Sequence, residues 1–140
     1  MKGKAPELPS ERLRATGLRP TRQRVALAEM LFGQGDRHFT AEAVHAEAVQ
    51  NGVPVSLATV YNTLHQFVEA GLLREVAIEG AKTYFDTKIS DHFHFFFENN
   101  GALVDIEPAN VKVEDLPKPP EGTEITRIDV LVRLVPIEQA

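Results

Sequence analysis

Apolar side chains recur every three to four residues in three segments of the first half of the chain, a spacing typical of amphipathic helices. The segments cover 22–32, 41–51 and 56–70; a Thr or Ser stands at the start of each, and a Gly follows each end. Hydroxyl residues cap helix N-termini and glycine ends helices. Three helices are therefore predicted, preceded by a shorter helical turn from Ser10 to Gly17.

The third segment has two unlike sides when its residues are placed at about 100° per residue. One side is an apolar stripe: Leu57, Val60, Tyr61, Leu64, Phe67 and Val68. The opposite side is short, uncharged and able to form hydrogen bonds: Ala58, Thr59, Asn62, Thr63 and Gln66. Side chains of this kind fit against base edges in the major groove of DNA. Tyr61 lies at the edge of the stripe, so core packing and DNA contact both stay open for it.

Two short runs after the third helix predict a β-hairpin. Residues 72–78 alternate loosely, 79–82 form a turn that contains glycine, and 83–85 return as a second strand. Three helices followed by a hairpin are typical of a winged helix-turn-helix domain, which we predict over residues 1–86. A small helical domain without a nucleic-acid partner is the alternative, since a fold does not determine a function.

The second half of the chain alternates with a period of two. Strands are predicted over 92–96, 102–106 and 126–134, and Asn-Asn-Gly at 99–101 is a strong turn signal between the first two. A sheet this small cannot cover its own apolar surface, and its last strand is a candidate edge, so a homodimer is predicted. We predict an α/β dimerisation domain over residues 87–140 and an α+β fold for the chain.

Composition narrows the class of protein. The chain has 140 residues, 43% of them hydrophobic and none of them Cys. Its apolar runs are far shorter than the ~18 to 20 residues of a bilayer span, and charges and prolines stand where a secretory signal places its apolar core. A cytoplasmic protein with no membrane partner is predicted. Without Cys, any metal must be held by nitrogen and oxygen ligands.

Charge is unevenly distributed along the chain. Residues 1–40 carry eight Lys and Arg against four Asp and Glu (+4), and residues 41–140 carry seven against sixteen (−9), which sums to the formal −5. A basic end can hold DNA in an acidic protein, because counterion release depends on local phosphate contacts. A solvated basic tail is the alternative reading of the same charges.

Two histidines two positions apart on a strand are candidate metal ligands. His92 and His94 share one face of the predicted strand, and a cross-strand carboxylate such as Asp105 could approach the same point. His38 and Asp86 become candidates if the fold brings them near. Ordinary surface histidines or a satisfied buried pair would show the same spacing.

Other function classes remain possible at this point. A small non-haem metal enzyme would use His92 and His94 with a carboxylate, but it leaves the helical half unexplained, and the sequence has no G-x-S-x-G or H-E-x-x-H motif. A metal-buffering or scaffold protein would take up metal without any operator preference. A DNA-binding regulator is the leading hypothesis, so we predict that the chain is not an enzyme.

Several motifs resemble, in order and spacing, the ferric uptake regulator (Fur) family. They are GLRPTRQR at 17–24, HFTAE at 38–42, SLATVYNTL at 56–64, YFD at 84–86 and HFH at 92–94. The tail, with NVKV at 110–113 and PPEG at 119–122, looks most like the iron response regulator (Irr) branch.

The resemblance implies a dimeric transcription regulator of iron homeostasis that binds AT-rich operators in double-stranded DNA. On the family's pattern Thr59, Tyr61 and Asn62 lie in the major groove, and Arg19 reaches the minor groove or backbone, where a narrow groove attracts Arg. We also expect Lys82 of the hairpin to contact DNA. The family's hinge metal site, for Mn, Fe or Zn, falls on five residues: His38, Asp86, His92, His94 and Asp105.

Departures from the family pattern also matter. The two cysteines of its structural zinc site are replaced by Phe97 and Asn100, so no structural cysteine zinc is expected. A second metal site would need ligands at Asp91, Phe93 and Lys112, and only Asp91 could serve. The resemblance to the iron response regulator branch implies operator binding under iron limitation and release by haem at His92 and His94, although Phe93 stands where that branch often has a third histidine.

Overall fold

A computed structural model of the chain describes residues 8–78, 80 and 82–138. The chain divides into two compact units, the first ending at Ile89 and the second beginning at Ser90. Glu79 and Ala81 of the predicted hairpin turn, and residues 1–7 of the predicted first domain, lie outside the described residues. Helices and short sheets are both present, so the α+β prediction is confirmed.

The first unit combines helices with a short sheet. Its elements are α1 (Pro9–Ala15), α2 (Arg22–Leu31), β1 (His38–Phe39), α3 (Ala41–Gln50), α4 (Leu57–Glu69), β2 (Arg74–Val76) and β3 (Tyr84–Asp86). The predicted caps are confirmed: the hydroxyls of Thr21, Thr40 and Ser56 each accept a hydrogen bond from a backbone N–H three residues on, at 3.1–3.2 Å. Each cap satisfies one otherwise unpaired N–H at the start of its helix.

The helices of the first unit bury one continuous core. Fully buried members of it are Leu13, Leu27, Leu31, Val44, Val60, Leu64, Phe67 and Phe85. Two predictions on α4 are wrong. Leu57 is 41% exposed, because it is the first residue of the helix, and Thr63 is 5% exposed, because it lies three residues after Val60 and shares its buried face.

The sheet of the first unit has the strand order β1-β3-β2, with both pairs antiparallel. The predicted hairpin is confirmed as β2 and β3, whereas the two-residue β1 was not predicted, since two residues are too few to show alternation. In the ladder His38 is the partner of Asp86, and Phe39 is the partner of Phe85.

The second unit holds β4 (Phe93–Phe97), β5 (Leu103–Ile106), a single 3₁₀ turn (Pro108–Asn110) and β6 (Leu131–Leu134). The order is β5-β4-β6, with β4 antiparallel to β5 and parallel to β6. The long strand predicted from Thr126 is wrong in length. Only residues 131–134 pair with β4, because β4 has five residues. Ile128 and Val132, on the predicted apolar face, are exposed.

The longest helix in the described part of the chain is α4, with 13 residues. None of the described helices has both the length and the apolar character needed to cross a bilayer.

Candidate metal ligands and DNA-facing side chains

The first unit brings two predicted ligands together. Nε2 of His38 lies 3.2 Å from Oδ2 of Asp86, and the Asp86 side chain is 1% exposed. The backbone N–H of Lys88 donates to Oδ1 of the same carboxylate at 2.9 Å. One carboxylate oxygen is thus held by the backbone while the other faces the imidazole.

The second unit brings the other three predicted ligands together. Nε2 of His92 and Nε2 of His94 each lie 3.5 Å from Oδ1 of Asp105. His94 and Asp105 are cross-strand partners in the β4–β5 ladder, and the two imidazole centroids are 4.5 Å apart. The candidate ligand atoms of these three residues lie within 4.8 Å of one another.

A hydrogen bond outside the cluster orients one of its imidazoles. Nδ1 of His92 lies 2.6 Å from the carbonyl oxygen of Ser90. A carbonyl only accepts, so Nδ1 is the donor; in the neutral imidazole this places the lone pair on Nε2, the nitrogen that faces Asp105. Partners of this kind fix the tautomer of metal-ligating histidines. Ser90 had no signal in the sequence, because it acts through its backbone.

The donor chemistry of both groups fits a divalent transition metal. Imidazole nitrogen suits Fe and Zn, carboxylate oxygen suits Mn, and a mixed set accommodates all three. His92, His94 and Asp86 are 2%, 5% and 1% exposed, so water contributes little to their solvation. A buried carboxylate and buried imidazoles with further ligand atoms this close are typical of a metal site.

The predicted DNA-contacting residues occupy the surface of the first unit. Asn62, Arg19 and Lys82 are exposed, and Tyr61 is 40% exposed. Thr59 is half-buried, and its hydroxyl accepts a hydrogen bond from the Ser56 hydroxyl at 2.9 Å. The uncharged side of α4 therefore faces outward at Asn62 and partly at Thr59.

A polar groove lies beside this side of α4. It encloses about 250 Å³ and is lined by Thr21, Gln23, Arg24, Thr59, Asn62, Thr63 and Gln66. Arg24, which the sequence did not single out, donates two hydrogen bonds to Gln66 across the groove at 2.9 and 3.1 Å. The two residues are 42 positions apart, so no local pattern connects them.

An aromatic cluster packs α4 against the sheet of the first unit. The His65 ring lies 4.8 Å from the Tyr61 ring and 5.6 Å from the Phe85 ring, between centroids. Phe85 is completely buried, and it stacks on Phe39 at 6.1 Å. The strand that carries Asp86 therefore contacts the helix that carries Tyr61.

Comparison with known proteins gives a consistent family match. Residues 15–132 match the ferric uptake regulator family. The peroxide operon regulator of Bacillus subtilis is 41% identical over 108 residues, covering 76% of this chain and 73% of that protein. The ferric uptake regulation protein of Pseudomonas aeruginosa is 34% identical over 101 residues, covering 71% and 75%.

Solved structures give the same result. A structure of the ferric uptake regulator from Pseudomonas aeruginosa with manganese superposes with a TM-score of 0.73 at 26% identity. The match covers 94% of this chain and 100% of that one.

Proposed function

From the premise that the chain belongs to the ferric uptake regulator family, we propose that it is a homodimeric regulator whose first unit binds AT-rich operator DNA and whose DNA affinity depends on a bound divalent metal. Proteins of this family are transcription regulators of metal or peroxide homeostasis. They are not enzymes, which favours a regulator over the enzyme alternative.

The DNA part rests on one observation above all, the exposure of Asn62 and Tyr61 on α4. Helices that read base edges present hydrogen-bonding side chains outward, and Asn is one of those that pair with adenine. In the proposed complex α2 to α4 and the β2–β3 hairpin act as a winged helix-turn-helix, with α4 in the major groove. Arg19 and Lys82, both exposed cations, contact the minor groove or phosphates.

For metal binding, we propose that all five predicted ligands belong to one site. His38 with Asp86, and His92 and His94 with Asp105, supply three imidazole nitrogens and two carboxylates. A bound divalent ion would supply positive charge to two carboxylates and bias the conformation that binds DNA.

The chain's own residues prepare this site. The Lys88 backbone N–H holds Oδ1 of Asp86, and the Ser90 carbonyl holds Nδ1 of His92. Both partners are backbone groups, so they fix the ligands without adding side-chain chemistry of their own. Mn, Fe and Zn are the candidate ions, and the manganese-containing relative supports Mn as the first to test.

The homodimer rests on exposed apolar side chains of the second unit. Val104, Val113, Leu116, Ile125, Ile128 and Val132 are between 36% and 50% exposed. Several of them line a shallow cavity of about 380 Å³. β6 is also an edge strand of its sheet. Apolar surface of this kind beside an open edge favours association with a second copy.

Release by haem and membership of the iron response regulator branch stay predictions from the sequence. The relatives reported above are peroxide and ferric uptake regulators instead. His92 and His94, the two predicted haem ligands, are also predicted ligands of the metal site. A cytoplasmic location likewise stays a prediction.

Selection of bound fragments from the source genome tests the proposal. Metal-free protein is incubated with genomic fragments alone or with Mn²⁺, Fe²⁺, Zn²⁺ or haem, and retained fragments are sequenced. We expect enrichment of an AT-rich motif in at least one metal condition. Equal retention of all fragments in every condition overturns the regulator assignment, and enrichment that haem leaves unchanged at saturation overturns the haem part.

A further inference from the structure

The Arg24 guanidinium joins two parts of the first unit that are distant in sequence. Nε and Nη2 donate to Oε1 of Gln66 on α4 at 3.1 and 2.9 Å. Nη1 donates to the backbone carbonyl of Arg19 at 3.0 Å. Three nitrogens of one planar group thus engage α4 on one side and the turn before α2 on the other.

Each end of this bridge carries a residue of the proposed DNA surface. Gln66 lies four residues after Asn62, so the two side chains lie on the same side of α4. The Arg19 carbonyl also accepts a hydrogen bond from the backbone N–H of Thr21 at 2.9 Å, which orders the turn. The exposed Arg19 side chain projects from the turn that Arg24 holds.

We propose that Arg24 is a positioning residue for operator recognition, which sets the spacing between Arg19 and the outward side of α4 and does not itself neutralise a phosphate. The inference rests on the proposed DNA-binding function. A minor-groove contact and a major-groove helix must match the same base pairs at once, so their spacing controls sequence preference.

The chemistry of Arg24 suits this role better than a phosphate contact. Arg24 is half-buried, and the fork of its guanidinium is already used by two acceptors. A guanidinium presents its donors in a fixed plane, whereas the ammonium of Lys is a single point charge. Arg24→Lys therefore keeps the charge and cannot span both acceptors.

Three variants separate positioning from charge. Gln66→Ala removes the acceptor and leaves Arg24 in place, Arg24→Lys keeps only the charge, and Arg24→Ala removes both the bridge and the charge. Arg127→Lys is the matched control, since Arg127 pairs with Asp129 on the second unit. Affinity is measured for the operator selected above and for a GC-rich duplex of equal length, across a salt series and in the activating metal. Thermal melts establish that each variant is folded.

We expect Arg24→Lys and Gln66→Ala to weaken operator binding about tenfold, the scale of losing a hydrogen bond to a charged group. The double variant should lose no more than either single one, because both remove the same bridge. Binding to the GC-rich duplex and the slope of log affinity against log salt should stay unchanged. Arg127→Lys should bind the operator like the parent.

Two results overturn the inference while leaving the regulator assignment intact. In the first, Gln66→Ala binds the operator as tightly as the parent. In the second, Arg24→Ala weakens both duplexes equally and reduces the salt slope by about 0.9, the signature of a phosphate contact. Failure of the parent protein to prefer any duplex overturns the proposed function itself, and the inference with it.

Discussion

His38 and Asp86 are direct partners across the β1–β3 ladder, and Nε2 of His38 lies 3.2 Å from Oδ2 of Asp86. The next pair in the same ladder is Phe39 with Phe85. Phe85 in turn contacts the rings of Tyr61 and His65 on α4. Two candidate metal ligands and the candidate DNA-reading helix are therefore packed on one short sheet.

Replacing Asp86 with Asn tests the metal assignment. The change keeps the size of the side chain and removes the negative charge, so metal affinity should fall at least tenfold, a loss typical even for partners of metal ligands. A competition titration against a chelator dye measures it. Asp36→Asn, an exposed carboxylate of the same unit, is the control. Unchanged affinity in the Asp86 variant removes this residue from the ligand set.

Metal stoichiometry distinguishes one shared site from two separate ones. If all five ligands hold a single ion, Asp86→Asn and Asp105→Asn should each lose the same one equivalent per chain. Elemental analysis after equilibrium dialysis counts the bound ion. Two equivalents in the parent, with each variant losing a different one, would contradict the shared site and leave two independent groups.

Phe85 should contribute strongly to the stability of the first unit. It is completely buried among Phe39, Tyr61 and His65, so Phe85→Ala leaves a cavity and should lower the free energy of unfolding by about 3–5 kcal/mol. Urea denaturation followed by circular dichroism measures the change. Tyr84→Ala, on the same strand but half-exposed, should cost clearly less. Equal losses of unfolding free energy in the two variants would show that the burial of Phe85 does not cause the destabilisation.

Phosphate contacts should appear in the salt dependence of DNA binding. If Arg19 or Lys82 contacts a phosphate, its change to Ala should reduce the slope of log affinity against log salt by about 0.9. Lys118→Ala, an exposed lysine of the second unit, should leave the slope unchanged. A slope equal to that of the parent removes that contact from the proposed interface.

Removing the N-terminal cap of α4 should lower stability by less than the Phe85 change. The Ser56 hydroxyl accepts from the Thr59 N–H at 3.1 Å, so Ser56→Ala should cost about 1 kcal/mol of stability. Ser56→Gly should cost only a few tenths of a kcal/mol, because Gly is tolerated at this position. Denaturation midpoints compare the two, and a Gly variant weaker than the Ala variant would show that backbone freedom outweighs the cap.

Predictions from local pattern were confirmed where neighbouring residues decide the structure. The helices begin at Thr21, Thr40 and Ser56 because each hydroxyl reaches an N–H three residues on, whatever the rest of the chain does. Placement of His94 and Phe96 on one buried face follows from the two-residue period of a strand. Leu57 and Thr63 were misassigned, since burial depends on what packs against the helix.

Apart from β1, the order of helices and strands and the helix caps were determined by the sequence alone, since each depends on short-range periodicity and residue type. The five nitrogen and oxygen ligands stay a prediction from the sequence. Tertiary structure decided the β1–β3 register that sets His38 beside Asp86, the length of β6, and the bridge from Arg24 to Gln66. These features join residues up to 48 positions apart or depend on how many residues a neighbouring strand can pair with. The sequence around one residue does not identify a partner far away along the chain, so only the folded structure shows these contacts.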